Sequence, residues 1–102
     1  MTTAFVYATD TSPRDAFVAA VDQDIAKGRA AVTRLERQTG AAAADAKVKL
    51  DADLTALQAD VKSAEAKLAA MKQATATRWK EFQADVSAAT ARLRKSTDKA
   101  SA

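Results

Sequence analysis

Cysteine and histidine are absent from this 102-residue chain, glycine occurs twice, proline once, and aromatic side chains make up 5% of it. Each gap removes a class of function. Without Cys or His there is no disulfide, no thiolate nucleophile, no zinc site of the usual ligand types and no imidazole for acid–base work. The chain therefore reads as non-enzymatic, with no catalytic residues, metal, cofactor or small-molecule substrate expected. No stretch approaches the roughly 18 apolar residues of a membrane span. The opening Met1-Thr-Thr-Ala-Phe-Val-Tyr-Ala has only a short apolar run and no Lys or Arg before Arg14, unlike a secretory signal. The expected location is the cytoplasm.

What is abundant is alanine, with 28 residues, while Leu, Ile, Val, Phe, Met and Trp together number 20. Alanine loses no side-chain entropy in a helix, and the two strongest helix breakers are scarce, so helix is the default state. Alanine also buries little surface, which leaves few large side chains for a core. Charge is unevenly placed. Residues 1–40 and 41–75 each carry five basic and five acidic groups, and the whole net charge of +3 lies in residues 76–102. Arg92, Arg94, Lys95 and Lys99 form this basic end, suited to a helix C-terminus or to an anionic partner.

Residues 1–11 show no helical period and read as a flexible N-terminal tail. Ser12-Pro13-Arg14-Asp15 reads as a helix start, with a capping hydroxyl, a proline where no donor is needed and an acid at the positive end. From there Phe17, Val18, Val21, Ile25, Val32 and Leu35 recur on a narrow face. The stripe resumes with Leu50, Leu54, Leu57, Val61, Ala64, Leu68 and Met71, and again with Trp79, Phe82, Val86, Ala89 and Leu93. Between them, Thr39 to Ala46 puts small residues on the seam. The expectation is an all-α fold, a long amphipathic helix or helical hairpin forming a coiled coil or small bundle. One helical domain would span 12–99, with breaks near 39–42 and 73–77 and a frayed 100–102. Gly40, after Arg34, Arg37 and Thr39, resembles a C-cap glycine behind a cationic last turn.

An unbroken helix over 13–98 would be about 130 Å long, and a single fold at Gly40 gives arms of roughly 40 and 87 Å. Neither covers its own stripe. The stripe is thus expected to be an association seam for a second copy or another helical protein, with a lipid or granule surface as the alternative. Trp79 and Phe82, bordered by Arg78, Lys80, Arg92, Arg94 and Lys95, are compatible with an interfacial helix as well as with an oligomer core. Nucleic acid is disfavoured, because the basic end has no aromatic interleaving and no recognition-helix turn. Glu81 and Asp85 share a face, but with no third ligand implied they read as solvated carboxylates beside Arg78 and Lys80. Gly28 reads as a close contact between helices.

The segments Ala44-Asp-Ala-Lys-Val-Lys-Leu-Asp-Ala-Asp-Leu-Thr-Ala-Leu, Ala66-Lys-Leu-Ala-Ala-Met-Lys and Thr77-Arg-Trp-Lys-Glu-Phe-Gln-Ala-Asp-Val resemble a family of small bacterial coiled-coil proteins, some labelled as stress-response proteins. The resemblance covers roughly residues 30–100 and implies a cytosolic helical protein without an assigned enzyme activity. The chain departs from that pattern in two places. Ala88-Ala89-Thr90-Ala91-Arg92-Leu93 stands where a second Trp motif often lies, and Thr75-Ala76-Thr77 stands where a glycine often precedes the Trp.

Overall fold

The structure is a computed structural model that describes residues 2–75 and 77–101, with side chains for 13–75 and 77–100. Three helices follow one another: α1 Thr2–Ala41, α2 Ala44–Lys72 and α3 Trp79–Ser101. All three pack on each other, with no strand among the described residues. Gly28 of α1 meets Val61 of α2 and Leu93 of α3. Arg14 reaches the last turn of α2, and Lys99 near the end of α3 reaches Asp53 early in α2. The order is up, down, up.

The helices hold 40, 29 and 23 residues, or about 60, 44 and 35 Å at 1.5 Å per residue. The molecule measures 63 × 23 × 18 Å, so α1 alone sets its length. Two reversals instead of one resolve the mismatch of arms expected from a fold at Gly40. The second reversal, before Trp79, cuts the long arm into pieces that cover each other.

Val21, Ile25, Leu35, Leu57, Val61, Leu68, Met71, Trp79, Val86 and Leu93 are buried in one core, together with Ala31, Ala64 and Ala89. Phe17, Val18, Val32, Leu50, Leu54 and Phe82 pack half-buried against it. The expected association seam is therefore closed within the chain. Thr90 also lies inside, and its hydroxyl donates to the Val86 carbonyl at 2.7 Å, which satisfies the one buried polar side chain among the described residues. At Gly28 side chains of α2 and α3 press close against α1. A Cβ built there lies 2.8 Å from Leu93 Cδ1 and 3.0 Å from Val61 Cγ2.

Several local expectations are corrected. Residues 2–11 are not a tail, because α1 begins at Thr2 and runs through Pro13. A proline disturbs chiefly the bond to the carbonyl four residues back, and the alanine-rich flanks can carry the helix past it. The expected cap by Ser12 lies outside the described side chains. Gly40 is not a left-handed C-cap, since no described residue has a positive φ and α1 ends one residue beyond it. The chain turns at Ala43, whose ψ of 161° is extended. The frayed end expected at 100–102 is also shifted, with α3 reaching Ser101, Ala100 packing on the core, and Ala102 outside the described residues.

Candidate functional site

Polar side chains clamp every pair of helices. Arg29 of α1 pairs with Glu65 of α2, and Arg94 of α3 reaches Asp24 of α1 at 2.9 Å. Between α2 and α3, Ser96 donates to Asp60, and Lys99 stands 3.7 Å from Asp53. The cations are largely exposed, so each ion pair contributes about 0.2–1 kcal/mol.

This arrangement divides the basic end. Arg94 and Lys99 turn to carboxylates on α1 and α2, whereas Arg92 and Lys95 stand exposed on the outside of α3. The four cations do not converge. Glu81 is engaged at 3.0 Å by Arg78, in the turn just before α3, and among the described residues no three His, Cys, Asp or Glu side chains gather in a way that would hold a metal ion. Among the described residues no helix is long and apolar enough to cross a membrane.

Trp79 is buried at the start of α3, with its ring centroid 6.4 Å from that of Phe17 and the planes tilted by 37°. Phe82, one turn on, is half-buried at a shallow groove lined by Ala70, Gln73, Ala74, Thr75 and Arg78. A second groove between α1 and α2 is lined by Arg29, Val32, Thr33, Gln58 and Glu65 and is bridged by the Arg29–Glu65 pair.

One important contact is missed by the periodicity. The Arg14 guanidinium donates to the carbonyls of Met71 at 3.3 Å and Lys72 at 2.7 Å. It covers the negative end of α2 from another helix, doing what a C-cap does locally. In sequence Arg14 has only the signature of a residue near a helix start, and nothing near it points to α2. No known family profile, curated protein or solved structure matches the chain.

Proposed function

We propose that this protein is a non-enzymatic structural element that works by self-association of helices. The observation that carries the reading is the small core of an alanine-rich chain. Among the described side chains thirteen apolar residues are buried, and a chain without cysteine or histidine has neither disulfide nor zinc staple to add to them. Association of copies would add buried surface to such a core.

A second reading, a surface coat on lipid or granules, is favoured by one feature of α3. Its Trp79–Phe82–Val86–Leu93 stripe is bordered by Arg78, Lys80, Arg92 and Lys95, the composition of a helix that settles in an anionic interface. That reading requires the bundle to open.

Light scattering over a wide concentration range separates the two. Self-association gives a mass that rises in multiples of the 10.7 kDa chain and a melting temperature that rises with concentration. The coat reading gives a monomer whose helicity and Trp79 emission change only when anionic vesicles are added. A monomer at every concentration that ignores vesicles overturns both.

A further inference from the structure

The α1–α2 turn is short and weakly specified. Ala42 and Ala43 separate the two helices, no side chain caps α2, and Ala43 is extended, at ψ 161°. The segment from Ala41 to Ala44 is four alanines in a row, the best helix-forming residue. Local preference therefore favours continuing the helix, against the turn that tertiary packing imposes.

The phase of the core points the same way. Counted at 100° per residue, as though no turn existed, Val21 and Gly28 of α1 and Val61 and Leu68 of α2 fall within a sector of about 60°. All four are buried. A hairpin does not require its two arms to keep a common phase, whereas a straight helix with one seam does.

We infer that the α1–α2 turn is a hinge and that its partner is a second copy of this chain. In the open form α1 and α2 merge into one helix, and two chains lie antiparallel. The α1 of each then closes the α2–α3 pair of the other. Gly28 against Val61 and Arg29 against Glu65 re-form between chains. The two-fold axis falls near the midpoint of those pairs, close to the hinge. There the merged helices bring alanines and Gly40 together, and a Cβ at Gly40 has nothing within 4 Å in the closed chain. Every α1 contact is kept, and short connections under tension are known to favour such exchange. The inference rests on the self-association proposed above and specifies how it occurs.

Ala44→Pro tests the hinge. Residue 44 opens α2 in the closed chain, where proline is well tolerated and the extended Ala43 suits the residue before it. In the merged helix the same proline is interior and disfavours each hinge by roughly a hundredfold, so dimerisation weakens about 10⁴-fold. A second measurement does not depend on that variant folding. Arg29→Cys with Glu65→Cys, in a chain that has no other cysteine, is treated with a short bismaleimide after cooling from the melt at high concentration. The hinge predicts a covalent dimer on a denaturing gel and a monomeric, still helical Ala44→Pro chain. A dimer that persists in Ala44→Pro, with the cross-link held inside each chain, overturns the exchange and leaves self-association standing. A monomer at every concentration overturns both, as does assembly that appears only on anionic vesicles.

Discussion

The two turns of this bundle are built differently. At the α2–α3 corner the last carbonyls of α2 accept from Arg14. Gln73 and Ala74 donate back to Ala69 and Met71, and the Thr75 carbonyl takes the N–H groups of Arg78 and Trp79. Trp79 then locks the corner against Phe17. The α1–α2 corner has a 3.3 Å bond from Ala42 to Thr39, one from Lys47 to Ala43, and no side-chain cap. The described residues of the longer connection thus make more bonds. Loop length is a poor guide to rigidity when one loop is tied by side chains from a third helix and the other is only alanine.

The sharpest way to break this contrast is Trp79→Ala. It removes the largest side chain from the tied corner, and a buried aromatic lost this way costs about 3–5 kcal/mol. The urea midpoint by circular dichroism should fall accordingly, and amide protection should collapse first at Gln73, Ala74 and Arg78. A loss below about 1 kcal/mol would mean that the corner is held by its backbone bonds alone. Gly28→Val tests the section between the corners. The new side chain meets Leu93 and Val61 at the distances given above, and Leu93 has no exposed surface into which to swing. Overpacking of this kind costs about 1–3 kcal/mol. A stable Gly28→Val chain would show that the helices can move apart there. Arg14→Met keeps the aliphatic stem and deletes the guanidinium, so only the cap on α2 is lost, at about 1 kcal/mol. Faster amide exchange confined to the last turn of α2 is the expected signature, and unchanged exchange would remove Arg14 from the corner.

Much of the core could be read from spacing. Leu57, Val61, Leu68, Met71, Val86 and Leu93 recur with the helical period and are buried, because burial of one face leaves a periodic trace whatever covers it. What covers it leaves no such trace. The same stripe serves an open coiled coil and a closed bundle, so the seam was legible while its partner, the chain itself, was not. The reversals were harder still. Gly40 offers a familiar C-cap signal, yet the chain turns at Ala43 without any positive φ. Arg14 acts 57 and 58 residues away, and the acids Asp24, Asp53, Asp60 and Glu65 acquire partners only once three helices are assembled.

The smallest expected effect lies at the loose corner and has the opposite sign. Ala43 occupies the N-cap of α2 with φ −69° and ψ 161°, and no side chain serves the free N–H groups of the first turn. In Ala43→Ser the hydroxyl oxygen can accept from the N–H of Ala46, a bond worth about 1 kcal/mol at such a position. The backbone is already in the conformation that this bond requires, so little reorganisation opposes it. In a merged helix the same serine is interior, slightly unfavourable and without a cap to make. The substitution should therefore raise the melting temperature of the monomer by a few degrees while lowering the dimeric fraction at fixed concentration. If the melt rises and the dimer fraction rises with it, the added stability does not come from the turn, and the α1–α2 corner is not the loose one.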